Sequence, residues 1–222
     1  MAHKKTCLSD IYTFDCNNIV FNSIEDGKIK NTNLNFKRIN IDVLNKDGTV
    51  GDLIFKTEDV FCFGITKNKL NSDSHNVGIC LYNRDPTERQ KLFVKKFNEI
   101  IEYIKLYIVD RKDYLEHYDL TLNDLKKFNP LYWKKEKGKI VEGTGPILYS
   151  KLREVKSGIL TIFMDEKKNR INPDDLMNKY FTANFGLKIE SIFIGSTISL
   201  IVRVVECINV KLVTRAYTSL LN

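Results

Sequence analysis

The chain has 222 residues, 43% hydrophobic and 11% aromatic, which is enough apolar material for one packed domain without disulfide staples. Lysines and arginines number 35 against 28 acids, and the formal charge of +7 makes an acidic macromolecule the better-matched partner. Five cysteines, odd in number and with no CxxC pair, argue against a disulfide framework or a zinc site, and no apolar run approaches the ~20 residues of a membrane span.

Residues 1–33 are polar and weakly patterned, a peripheral segment with strand signals near Ile11–Phe14 and Ile19–Ile24. Phe36, Ile39, Ile41 and Val43 outline a strand that ends at the turn Asn45-Lys46-Asp47-Gly48. Leu53–Phe55, Val60–Ile65 and Gly78–Tyr82 read as short strands, with the polar loop 66–76 between the last two. A long helix follows over 86–109. Asp85 is placed to cap it, Pro86 to open it, and Phe93, Phe97, Ile100, Ile104 and Ile108 form one apolar stripe. A second, short helix is expected over Thr121–Lys127.

Residues 129–146 are a basic loop punctuated by glycine and proline. Strands are expected at Ile147–Leu152 and Gly158–Met164, then a turn at Asp165–Asn169 and a capped turn of helix after Asn172. Two long strands close the chain between Leu187 and Val213, joined at Gly195-Ser196. In the first, Leu187, Ile189 and Phe193 share a face opposite Lys188, Glu190, Ile192 and Ile194; in the second, Ile198, Leu200, Val202 and Val204 oppose Ser199 and Arg203. One sheet face carrying Lys188 and Arg203 is thereby free for a polyanion. Residues 1–222 thus read as a single mostly β (α+β) domain, an OB-fold-like β-barrel with one long amphipathic helix inserted mid-chain.

Catalytic chemistry finds few candidates. His3, His75 and His117 lie in polar stretches without metal spacing and read as solvated. Asp174-Asp175 reads as helix capping. The segment Gly138–Gly145 lacks the Lys-Ser/Thr of a phosphate loop and carries Pro146, which has no backbone donor. No enzyme activity, metal or cofactor is expected. By contrast, Tyr132, Trp133, Lys134, Lys135, Lys137 and Lys139 crowd together, with Tyr149, Lys151 and Arg153 close behind. Interleaved rings and cations suit an unpaired nucleic-acid strand, the rings stacking on bases and the cations neutralising phosphates. Trp133 also admits the opposite reading, a core residue anchoring a solvated lysine run. Cys62, Cys80 and Cys207 fall in apolar runs and read as buried thiols.

The order of segments resembles one family. NFKRINIDVLNKDG, the helix KLFVKKFNEIIEYIKLYI, GTGPILYSKL, GILTIFMDEKKNRINP and the hairpin LKIESIFIGSTISLIVRVVE together are similar to the single-stranded-DNA-binding proteins of nucleocytoplasmic large DNA viruses, the African swine fever virus type, and more loosely to the phage T7 type. The resemblance implies an OB-fold protein that binds single-stranded DNA without sequence preference during replication, recombination or repair. It implies an intracellular, reducing location, the host cytoplasm or a virion, and no membrane. On this reading Tyr132, Trp133 and Tyr149 stack on bases, and Lys134, Lys135, Lys137, Lys139, Lys151, Arg153, Lys188 and Arg203 contact phosphates. RNA, a homo-oligomer and replication proteins are further partners left open. The final residues TRAYTSLLN carry no acidic run of the kind that recruits replication partners in the T7 type. The alternative is a structural or virion interaction protein on the same barrel, without DNA binding.

Overall fold

A computed structural model describes residues 5–29, 32–68, 74–82, 85–116, 118–141 and 143–213. The strands are β1 (Leu8–Ser9), β2 (Ile19–Lys28), β3 (Asn35–Leu44), β4 (Val50–Asp52), β5 (Ile54–Lys56), β6 (Val60–Lys67) and β7 (His75–Cys80). After the helix α1 (Glu88–Asp110) come β8 (Leu131–Tyr132), β9 (Lys135–Glu136), β10 (Lys139–Ile140), β11 (Ile147–Leu152), β12 (Glu154–Val155), β13 (Gly158–Ile159) and β14 (Ile162–Phe163). The chain closes with β15 (Phe181–Ile194) and β16 (Ile198–Leu212).

Five of these strands form a closed barrel. β6 pairs antiparallel with β7, β7 with β11, and β15 with both β6 and β16; the ring closes where β11 runs parallel to β16 at Lys151↔Arg203 and Leu152↔Val204. Closure leaves no free edge inside the ring. Its core is filled by the inward set of each strand, including Cys62, Ile65, Val77, Ile79, Leu148, Leu152, Phe181, Phe185, Leu187, Ile189, Val204 and Cys207, all fully buried. Burial pushes the Cys62 thiol up to about 12 and the Cys207 thiol well above its ordinary value, so both stay protonated. Two hydroxyls inside the wall find backbone acceptors on β16. Ser150 donates to the Val202 carbonyl at 2.9 Å and Thr161 to the Val204 carbonyl at 2.7 Å. Buried hydroxyls left without such acceptors would cost stability.

Outside the ring, β15 also pairs with β3, which carries β2 and β4. The helix belongs to the same core through Phe93, Phe97, Ile100, Ile104 and Ile108 on the expected stripe, widened by Val94 and Ile101. Tyr107 of α1 stacks on Phe21 of β2 at 3.5 Å, and the Arg111 guanidinium lies over the Tyr107 ring at 4.4 Å. The helix starts later than the sequence suggests. Thr87, not Asp85, is the N-cap, and a capping box with Gln90 satisfies donors at both positions.

Other local differences have physical causes. The 11–14 region is a turn, and the strand lies earlier, at Leu8–Ser9, where it pairs with β5. The strand expected over Gly158–Met164 is split between β13 and β14, and the helix expected from Thr121 is a short 3-10 turn, Asp124–Lys127. The face assignment of β15 holds only as far as Ile189. A bulge between Ile189 and Ser191 inserts Glu190 unpaired, so Ile192 and Ile194 turn into the core and Phe193 turns out against Phe36 at 4.9 Å. Among the described residues no helix is long and apolar enough to cross a membrane.

Candidate nucleic-acid interface

The outer face of β6, β7 and β11 carries a run of aromatic side chains. β6 reads VFCFGITK, and because Val60 and Cys62 point inward, Phe61 and Phe63 point outward. On β11, Ile147–Leu152, the same alternation puts Leu148 and Ser150 inside and Tyr149 and Lys151 outside. Tyr149 is 60% exposed and Tyr132, beside it on β8, is 53% exposed; their rings are 6.3 Å apart. β8 pairs with the first half of β11 and β16 with the second half, so both take the edge opposite β7.

Gly78 lies between the two groups of rings, directly opposite Tyr149 in the β7–β11 ladder. A Cβ there would stand 3.3 Å from Phe63 and 3.4 Å from Tyr149. The absent side chain therefore lets rings from two strands approach over the strand between them. At the far end Phe61, Phe63 and Tyr180 contact one another at centroid distances of 5.2–6.2 Å. Gly64, at a φ of 92° and against the Lys179 backbone, makes the β6 bend possible; any other residue would strain and collide there. Tyr132, Tyr149, Phe63 and Tyr180 thus form an exposed band across four elements, with π-faces or edges available to planar partners.

A cavity lies beside each end of β11. One, of about 610 Å³, is lined by Phe63, Cys80, Asp85, Lys134, Ile147 and residues 143–145. The other, of about 740 Å³, takes in His75, Lys151, Glu154, Lys156 and Arg203.

The expected site residues separate into three groups. Tyr132, Tyr149 and Lys151 share the aromatic face. Lys134, Lys135, Lys137 and Lys139 are exposed on or beside the β9–β10 hairpin, which turns at Lys137-Gly138 with positive φ at both, and Arg153 is exposed after β11. Lys134 lies 3.2 Å from Glu136, an exposed pair of little energetic weight.

Three residues do other work. Trp133 is half-buried, packs against the core and meets Tyr82 edge-on at 6.3 Å, so it anchors the loop and is not part of the exposed band. Lys188 is paired with Asp52 at 3.0 Å, and Arg203 with Glu190 at 2.7 Å and the Leu152 carbonyl at 3.0 Å. The hairpin face expected to be free for a polyanion is already internally neutralised. His75 is not a solvated histidine either. Its Nδ1 and its backbone N–H both reach one oxygen of Glu154 at 2.7 Å. His3 and His117 lie outside the described residues.

Sequence reasoning passed over Phe61, Phe63 and Tyr180 as site residues. For the first two the signal was present, since an inward Cys62 requires outward neighbours; for Tyr180 it was not, because that ring reaches Phe61 and Phe63 only through tertiary packing. Among the described residues no group of three or more His, Cys, Asp or Glu side chains is placed to hold a metal ion.

Residues 14–220 match a family described as "Protein of unknown function (DUF2738)". No curated protein and no solved structure matches the chain.

Proposed function

We propose, for a chain that belongs to the DUF2738 family, that the aromatic face of its barrel binds single-stranded DNA without sequence preference. The observation that carries this reading is the exposed band Tyr132–Tyr149–Phe63, bordered by cations that have no carboxylate partner among the described residues, Lys151 and Arg153 among them. Exposed rings stack on any base, because every base has a π-face, and a duplex, whose bases are already stacked, offers them little. The cations supply the sequence-independent attraction to the phosphate track. The strand would cross the β6–β7–β11 surface, the side of an OB barrel on which oligonucleotides lie. The viral setting and a part in replication, recombination or repair rest on the resemblance of the sequence segments alone.

Fluorescence anisotropy with labelled oligo-dT and the matching duplex tests the reading. Single strands should bind more tightly than duplex, and log affinity should fall with log salt at about −0.7 per neutralised phosphate. Equal affinity for both forms, or affinity insensitive to salt, would sink it. In that case the exposed Phe63 and Tyr180, packed with Phe61, favour the second reading, a docking surface for another protein.

A further inference from the structure

The cavity of about 740 Å³ at one end of the aromatic face differs from the rest of that face in its charge. Lys151, Lys156 and Arg203 line it, with Glu154 as the only carboxylate among its lining residues. Two of these four groups already have partners. Arg203 is bound to Glu190, and Glu154 accepts from both nitrogens of His75 named above. Lys151 and Lys156 are left without an ion-pair partner among the described residues. Among the described residues the cavity therefore presents two ammonium groups that no carboxylate has claimed, next to Asn68 and Ser74.

Lys151 is the more telling of the two. Much of its side chain is exposed, yet desolvation where it lines the cavity, then the repulsion of Arg203 and Arg38, holds its ammonium below the ordinary lysine range; Glu190 opposes this only in part. Arg38 comes from β3, Arg203 from β16 and Glu190 from β15, so three strands outside β11 set this field. A cation kept where its own surroundings disfavour its charge suggests a missing anion.

We propose that this cavity binds a phosphate monoester, the terminal phosphate of a DNA strand or that of a free mononucleotide. Two unpaired ammonium groups match a dianion better than the single charge of an internal phosphodiester. Lys151 and Tyr149 project from the same face of β11 two positions apart, about 7 Å, so a phosphate beside Lys151 leaves its own base within reach of the Tyr149 ring. The oligonucleotide arm of the test rests on the strand-binding reading; the mononucleotide arm does not.

The experiment titrates the full chain by calorimetry with thymidine, thymidine 5′-monophosphate, inorganic phosphate, and a short oligo-dT with and without a 5′-phosphate. Each phosphorylated probe should bind at least about fivefold more tightly than its unphosphorylated partner. Lys156→Ala and Lys151→Met should each erase that difference, with thermal midpoints no lower than the parent's showing that the fold is intact. In mildly alkaline buffer, binding should also take up a proton, because the anion draws Lys151 back to its charged form. A preference in the mononucleotide pair, with neither oligonucleotide bound, supports the cavity site while the strand-binding reading fails. A preference in the oligonucleotide pair alone assigns the site to strand ends. Oligo-dT binding with no preference for a phosphate in any pair overturns the proposal and leaves the strand-binding reading standing. A preference that survives both substitutions overturns it as well.

Discussion

Two sets of cations on the same barrel behave differently. On the C-terminal hairpin, Lys188 and Arg203 stand opposite each other in the ladder, and each is satisfied by a carboxylate from a neighbouring strand. On β11, two positions along from Tyr149, Lys151 has no such partner among the described residues and feels the repulsion of Arg203 and Arg38, which Glu190 offsets only in part. The first arrangement holds strands together, and a phosphate would have to displace Asp52 or Glu190 to use it. The second has its charge still to be met. A count of lysines and arginines cannot separate the two; the pairing of each cation does.

The same contrast applies to the rings, and its largest expected effect is on stability. Trp133→Ala removes a half-buried ring that packs on Tyr82 and the core, so it should cost about 2–3 kcal/mol and lower the thermal midpoint by roughly 4–12 °C. A midpoint unmoved by this substitution would return Trp133 to the exposed face. Next in size is Tyr149→Ala. It should weaken oligo-dT binding by about 1–3 kcal/mol, roughly 5- to 150-fold, and leave the midpoint nearly unchanged. Loss of stability without loss of binding would make Tyr149 a cover for Gly78 and nothing more.

The smallest effect concerns Lys151. Its folded-state pKa is depressed, so the unfolded chain holds that proton more readily, and the penalty is full at neutral pH. Lys151→Met should therefore raise the midpoint slightly at pH 7. The gain should fade as pH climbs through the folded-state pKa towards the unfolded value of about 10.4. A variant less stable than the parent at pH 7 would mean that the ammonium is held by a favourable contact. Together the three substitutions separate residues that hold the barrel from residues that wait for a partner.

Much of the barrel was readable because alternation with period two survives in its strands. β16 keeps Leu200, Val202 and Val204 on one side as its pattern suggests, and α1 keeps its stripe. What failed was long-range. The partners of Lys188 and His75 are 136 and 79 residues away from them in sequence order, and no local pattern brings Asp52 or Glu154 to them. Tyr132 and Tyr149 were recognisable as candidates from composition, but the band they join depends on Gly78 lying opposite Tyr149, a matter of register. Trp133 was ambiguous in sequence because a tryptophan among lysines suits both a stacking loop and an anchored one; its contact with Tyr82 decides between them.

The bulge in β15 constrains how this chain can change length. Glu190 is the residue that resets the phase between a half of the strand shared with β5 and β6 and a half shared with β3. Deleting one residue there would carry Ile192 and Ile194 to the outside and force Phe193 into the interior, in a strand that touches both the barrel and the sheet beside it. Side chains on this strand can be exchanged one at a time, but its residue count is fixed. Insertions and deletions in related chains are expected instead at places such as the Lys137-Gly138 turn, which is exposed and sets the register of nothing beyond its own two-stranded hairpin.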